Sequence, residues 1–227
     1  MTEQEKAFFE KIEEASKKDP FVKVQAASDY ISGFLSNAYK TPQGIRGDHL
    51  CYILACLTGV AVGQAAKSGF VNDLINGNSG FMMMPNTKLE TDAGIFYVGD
   101  SINKYLYNDP KSAINIICTI YGKKKGNDNI PDLQKIMENS AKKMGNKEAR
   151  IWDGQHNPYE ELPMALDMAK NVFDRLEPYK LDLGERVSAF ALSLANVIAQ
   201  VEGIFPKELN CLEMSLDTVM YLSHMDV

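Results

Sequence analysis

The amino-acid sequence predicts a mainly α-helical fold, a single-domain bundle of about eight helices with a small β-hairpin near residues 81–98. Apolar residues recur at helical spacing over most of the chain, and one stretch of fourteen residues contains no charge. Between Gly77 and Asp100 this spacing is lost, which favours strands there. With 227 residues the chain is long enough to bury a core. Its 45% hydrophobic and 24% charged residues are typical of a globular protein. We therefore expect one helical domain over residues 1–227.

Two helices are predicted before the uncharged stretch. Thr2 or Glu3 begins the first helix, which carries Phe8 on its apolar face and ends near Asp19-Pro20. The second helix follows directly and is broken by the turn sequence Thr41-Pro42-Gln43-Gly44.

The uncharged stretch, Leu50 to Gly63, predicts a buried central helix over residues 48–67 that Asp48 caps and that ends near Ser68-Gly69. A glycine inside a helix costs about 1 kcal/mol relative to alanine. Glycines one turn apart therefore indicate close contact with a neighbouring helix. Five residues share the face where that contact is expected: Tyr52, Cys56, Gly59, Gly63 and Ala66.

A β-hairpin is predicted where the helical spacing is lost. Lys88 to Thr91 and Ile95 to Val98 are short runs of β-prone residues, joined by Asp92-Ala93-Gly94, whose glycine accepts a positive φ. We also consider a third strand from Phe81 to Met84. Because a two-stranded hairpin is marginal in water, one of its faces should lie against the helices.

Further helices are predicted after the hairpin. Their starts are marked by capping residues or prolines: Asp100, Asp109-Pro110, Pro131, Pro158, Asp182 and Pro206. Asp182 and Glu185 have the spacing of a capping box. The segment from Asn146 to Asn157 is predicted to be a loop.

Composition and charge exclude several classes of partner. The net charge of −6 gives no electrostatic attraction to nucleic acid or to anionic membranes. The uncharged stretch is shorter than the roughly 18 to 20 apolar residues that span a membrane. The charged N-terminal sequence lacks the apolar region of a secretory signal. We therefore expect a soluble, cytoplasmic protein that binds neither nucleic acid nor a membrane.

No metal or cofactor is expected from the motifs of the chain. Its cysteines lack the C-x-x-C spacing of a zinc site and fall in apolar stretches, which predicts buried free thiols at all four positions: Cys51, Cys56, Cys118 and Cys211. There is no glycine-rich phosphate-binding motif. Lys123 to Lys125 stand between two glycines, and we interpret them as a solvated loop.

Residues 150–161 (RIWDGQHNPYEE) are the segment densest in acid–base groups. The candidate catalytic residues of a hydrolase-like enzyme all lie there: Asp153, His156, Glu160 and Glu161. Trp152 would form a wall of that site. A second histidine, a nucleophile elbow and metal-ligand spacing are all missing from the segment. We therefore favour the alternative interpretation, a surface loop anchored by Trp152.

Ser193, Asn196 and Gln200 form a polar stripe on a helix that is otherwise apolar. Such a stripe indicates either a site for a small apolar ligand between helices, with Trp152 as a further candidate contact, or the narrow face that meets water.

Met82, Met83 and Met84 are the candidate interface residues. Consecutive strand residues point to opposite faces, so at least one of them should project away from the core, and flexible thioethers suit a contact surface. Our leading hypothesis is a non-enzymatic interaction or regulatory module that self-associates, or binds another protein, through the hairpin and its flank. The alternatives are a binder of a small apolar ligand and a hydrolase-like enzyme.

Overall fold

Helices form most of the protein. The computed structural model describes residues 2–75, 86–146, 148, 158–201 and 210–226, with the side chains of residues 69–75 and 158–162 outside the description. The helices in these ranges are α1 (Glu3–Ser16), α2 (Phe21–Ala38), α3 (Gly47–Ile75), α4 (Asp100–Asn103), α5 (Ala113–Lys125), α6 (Leu133–Lys143), α7 (Pro158–Leu176), α8 (Leu183–Val201) and α9 (Cys211–Ser223). The strands are β1 (Thr87–Thr91) and β2 (Gly94–Val98). α4 is a single turn that continues into a π-helical turn, Lys104–Asn108. The predicted fold, a bundle of about eight helices with one hairpin, is confirmed.

α3 is the predicted central helix, and every residue from Leu50 to Gly63 is buried. It begins at Gly47, so Asp48 lies in its first turn, where its carboxylate pairs with Arg46 at 2.5 Å. The helix continues past the predicted end near Ser68-Gly69 to Ile75. One glycine weakens a helix by about 1 kcal/mol but removes no hydrogen bond. Because no proline interrupts α3 before Ile75, the helix continues through Gly69.

The glycine face of α3 packs against the C-terminal half of α9. A Cβ atom placed on Gly59 would lie 2.8 Å from Cβ of Leu222 and 3.1 Å from the carbonyl oxygen of Val219. One placed on Gly63 would lie 3.2 Å from the carbonyl oxygen of Ser223. The predicted close contact with a neighbouring helix is confirmed. α8 also packs on α3, and α2 and α5 pack on α8.

The hairpin has the predicted strands and turn. β1 and β2 are antiparallel, with Thr91 opposite Gly94 and Leu89 opposite Phe96. Gly94 adopts a φ of 129°, which favours glycine over any residue with a side chain. The ring of Phe96 is fully buried, so one face of the hairpin lies against the helices as expected. The third strand considered at 81–84 lies outside the described residues.

Helix ends follow the predicted caps in some places and depart from them in others. Asp182 and Glu185 form the predicted capping box, each side chain accepting the other's backbone N–H at 2.8 Å. Asp109 begins a turn instead of a helix, because its carboxylate accepts the N–H of Lys111 at 2.7 Å and α5 starts only at Ala113. Asn115 holds this turn by donating to the carbonyl oxygens of residues 107 and 109.

Two further expectations are corrected. Lys123 to Lys125 are exposed but form the last turn of α5 instead of a loop. The helix continues through Gly122 and ends at Lys125, before Gly126, whose φ is 95°. On α1, Phe8 is 50% exposed, and the neighbouring Phe9 is the residue that packs, with its ring 5.0 Å from that of Tyr179.

One segment of the described chain, Gly47–Ser68, is long and apolar enough to cross a membrane. In this fold 89% of its most apolar stretch is buried inside the protein. The same length and composition are typical of the core helix of a bundle, which is the position that this segment occupies.

Candidate functional site

The C-terminal end of α9 holds the hairpin in place. The ring of Tyr221 contacts that of Phe96 edge to face, with 5.6 Å between the ring centres. Beyond the helix, the backbone N–H of Tyr97 donates to the carbonyl oxygen of His224 at 2.7 Å. The N–H of Asp226 donates to the carbonyl oxygen of Ile95 at 2.8 Å. The residues after α9 therefore bind the outer side of β2 through one antiparallel bridge, between Phe96 and Met225.

His224 is part of this junction. Its ring Nδ1 lies 2.7 Å from the carbonyl oxygen of Tyr97, and the side chain is half-buried. Burial lowers the pKa of His224, and the bond to Tyr97 opposes that effect only in part. Lys67 reinforces the junction from α3, since it pairs with the carboxylate of Asp226 and lies 5.5 Å from the centre of the Tyr97 ring.

The outer edge of β1 is the side of the hairpin that faces away from this junction. All five residues from Thr87 to Thr91 are exposed. Ile95 and Tyr97 direct their backbone groups toward His224 and Asp226, so their partners on β1, which are Glu90 and Lys88, direct theirs away from β2. Among the described residues, none forms a backbone hydrogen bond with that side of β1. We call this surface, residues 87–91, the β1 edge.

The side chains of the β1 edge alternate in character. Lys88 and Glu90 share one face and pair with 2.6 Å between Nζ and Oε1. This hydrogen bond lowers the pKa of Glu90 and raises that of Lys88. Leu89 points to the opposite face, beside Phe96, and is 41% exposed. The edge therefore presents an exposed leucine between two opposite charges.

A second candidate surface is an open cleft of about 970 Å³ where α2, α5 and α8 begin. Apolar side chains line much of it: Phe21, Val24, Tyr105, Ile116, Leu181 and Leu183. Two carboxylates also line it. Asp19 accepts the N–H of Phe21 at 2.9 Å, and Asp182 closes the capping box of α8. An apolar surface with a polar rim suits binding of an apolar molecule.

The predicted polar stripe of α8 does not line this cleft. The hydroxyl of Ser193 is buried and lies 2.7 Å from that of Ser32 on α2. Asn196 faces α5, where its side-chain oxygen accepts a hydrogen bond from Lys124 at 2.8 Å. Gln200 is exposed. The three residues are therefore divided between two helix contacts and the solvent.

Other predicted site residues fall outside the described part of the chain. Trp152, Asp153, His156 and the methionines at 82–84 are not described, nor are the side chains of Glu160 and Glu161. The catalytic loop and the methionine interface stay predictions.

The cysteines are buried and free, as the sequence predicts. A hydrogen bond with the thiol of Cys211, together with burial, raises the pKa of Cys51. Burial alone raises the pKa of Cys118 to about 11. Within the described ranges no three histidine, cysteine or acidic side chains come together as metal ligands.

The sequence predicted a strand at β1 but not the β1 edge as a contact surface. The signal is present, because lysine and glutamate flank one leucine within a predicted strand, which places both charges on one face. The role of His224 depends on a contact with a strand 127 positions earlier, and no local pattern indicates it. Comparisons of the chain with models of protein families, with curated proteins and with solved structures found no match.

Proposed function

We propose that the protein is a non-enzymatic interaction module that associates with a second copy of itself through the hairpin. The β1 edge supports this proposal most directly. It is a strand with five exposed residues, and the backbone groups of Lys88 and Glu90 on its outer side are directed away from β2. Such an edge is a template for pairing with another strand.

The attachment of the hairpin to α9 supports the same proposal. Met225 forms an antiparallel bridge on the outer side of β2, and the buried ring of Phe96 packs against Tyr221 of α9. Pairing at β1 therefore requires no rearrangement of the hairpin, and the cost of ordering a flexible strand is avoided.

Light scattering during size-exclusion chromatography tests self-association. We expect the weight-average mass to rise from 25.3 kDa toward twice that value as the protein concentration increases through the micromolar range. A mass that stays at the monomer value at tens of micromolar would contradict the proposal.

A second candidate function is binding of a small apolar molecule in the cleft at the starts of α2, α5 and α8. The cleft, at about 970 Å³, has the size of small-molecule sites, and Phe21 on its wall is 45% exposed. An aromatic side chain held at such a position adds a contact surface for a ring-containing ligand.

Titration with the fluorophore 8-anilinonaphthalene-1-sulfonate tests the cleft. We expect saturable binding that Phe21→Ser weakens and that Phe8→Ser leaves unchanged, because Phe8 is exposed to a similar extent, 50%, but lies outside the cleft. Equal binding by both variants would place the probe elsewhere and remove this candidate.

A further inference from the structure

We infer that two copies of the chain join their β1 strands antiparallel, around a two-fold axis that passes beside Leu89. This inference rests on the proposed self-association and specifies its register. The result is a continuous sheet in which each hairpin contributes two strands. Isologous contacts of this kind close on themselves and stop at the dimer.

The backbone of β1 is compatible with this register. Lys88 and Glu90 are the residues whose N–H and C=O groups point away from β2. When Leu89 lies opposite Leu89 of the partner subunit, Lys88 lies opposite Glu90 of the partner subunit. Each of these two opposed pairs then exchanges both of its N–H···O=C bonds. Leu89 falls at the position between them, where opposed side chains approach most closely.

The charges distinguish this register from its neighbours. In the register centred on Leu89, each lysine faces a glutamate across the junction, and cross-strand pairs of opposite charge are stabilising. A shift by two residues in one direction places Lys88 opposite Lys88 of the partner subunit. A shift in the other direction places Glu90 opposite Glu90 of the partner subunit. A shift by one residue places outward backbone groups opposite inward ones and loses the hydrogen bonds.

The same charges make the edge selective for its own copy. A charged edge discourages pairing with a neutral strand, because Lys88 and Glu90 would lose water and gain no partner beyond each other. The sequence Thr-Lys-Leu-Glu-Thr pairs with a second copy of itself so that both charges are compensated. Gain of opposite-charge pairs with the correct partner, and loss of water without such a gain for others, are the two components of specificity.

The exposed leucine adds an apolar contact at the centre. Leu89 is 41% exposed and lies on the same face as the buried Phe96. Pairing covers it with the equivalent leucine of the partner and extends the apolar surface of the hairpin. Five residues on each side bury less area than the roughly 1,200 Å² of a stable interface, so the association is expected to be weak and reversible.

Charge-reversal variants of Lys88 and Glu90 test the register, with the dimer dissociation constant measured by sedimentation equilibrium. Lys88→Glu and Glu90→Lys each replace two opposite-charge pairs of the dimer by two like-charge pairs. We expect each variant alone to dissociate about tenfold more readily than the wild type at low salt. An equimolar mixture of the two restores the wild-type dissociation constant, because every pair in the mixed dimer is again of opposite charge. The double variant Lys88→Glu/Glu90→Lys also restores it.

The mixture provides its own control. Both variants lose the intrachain bond between Lys88 and Glu90, and mixing does not restore it, so recovery reports only contacts between chains. Wild-type association that neither variant weakens would overturn the register and leave self-association standing. A wild type that stays monomeric would overturn the proposed function itself.

Discussion

His224 carries the clearest pH-sensitive contact of the described chain. It is half-buried and bonded to the backbone of Tyr97, and burial lowers its pKa from the ordinary value of 6.5. Below pH 6.5 the unfolded chain therefore takes up a proton that the folded protein resists. The stability associated with this residue is complete above pH 6.5 and decreases as the pH falls from there toward the lowered pKa.

Substitution of His224 by asparagine tests this link, because the asparagine amide retains a donor near the position of Nδ1 and does not titrate. We expect the free energy of unfolding of the wild type to decrease relative to that of His224→Asn when the pH is lowered from 7.5 to about 5.5. Urea unfolding at both pH values measures it. Parallel pH profiles of the two proteins would show that the histidine does not contribute.

Among the helices, α6 is attached to α9 through polar contacts. Only Ile136 and Ser140 of this helix are buried. Its C-terminal turn is joined to α9 by Asp217, a carboxylate that accepts from the hydroxyl of Ser140 and pairs with Lys143. The Asp217 side chain is 5% exposed, so these two partners compensate a charge that has lost its water.

Asp217→Ala should therefore release α6 more than it affects the rest of the fold. Loss of the carboxylate removes a hydrogen bond of the buried Ser140 hydroxyl and leaves the partly exposed Lys143 without its ion-pair partner, which costs about 1 to 3 kcal/mol. Hydrogen exchange should show faster exchange of the α6 amides and unchanged protection in α2. Asp128→Ala, which removes an exposed acid beyond α5, serves as the control. Equal effects of the two substitutions would contradict this account of α6.

Local signals predicted the elements well where the cause is local. The turn at Gly94 requires a positive φ, and the capping box of α8 closes between Asp182 and Glu185, so neighbouring residues determine both. The predicted start of α5 was wrong. Asp109 accepts a hydrogen bond within its own turn, and Asn115 stabilises that turn by donating to the carbonyl oxygen of residue 109. Asp217 contacts Ser140 and Lys143 of α6, which lie 77 and 74 residues earlier in the chain. A pattern of neighbouring residues cannot predict such a contact.

At the scale of the whole molecule, α3 and α9 form the axis on which the other parts depend. α3 contacts α7, α8 and α9, and the residues that follow α9 form the bridge that holds the hairpin. The spacing of Gly59 and Gly63 predicted the α3 side of its contact with α9, because a helix face without side chains indicates a closely packed neighbour. It did not predict which helix that neighbour is, or that its end supports β2, because both depend on pairing between distant segments. The β1 edge is therefore positioned by contacts that only the folded chain shows.

The free energies of unfolding of Gly59→Ala and Gly33→Ala, measured together by urea denaturation, test the contact between α3 and α9 most directly. The added methyl group at Gly59 would lie 2.8 Å from Cβ of Leu222, whereas at Gly33 on α2 it meets no atom within 4 Å. We expect Gly59→Ala to lose about 1 to 3 kcal/mol by overpacking. Gly33→Ala should gain about 0.5 to 1 kcal/mol, because alanine favours the helix. A gain at Gly59 equal to that at Gly33 would contradict the close packing of α3 on α9.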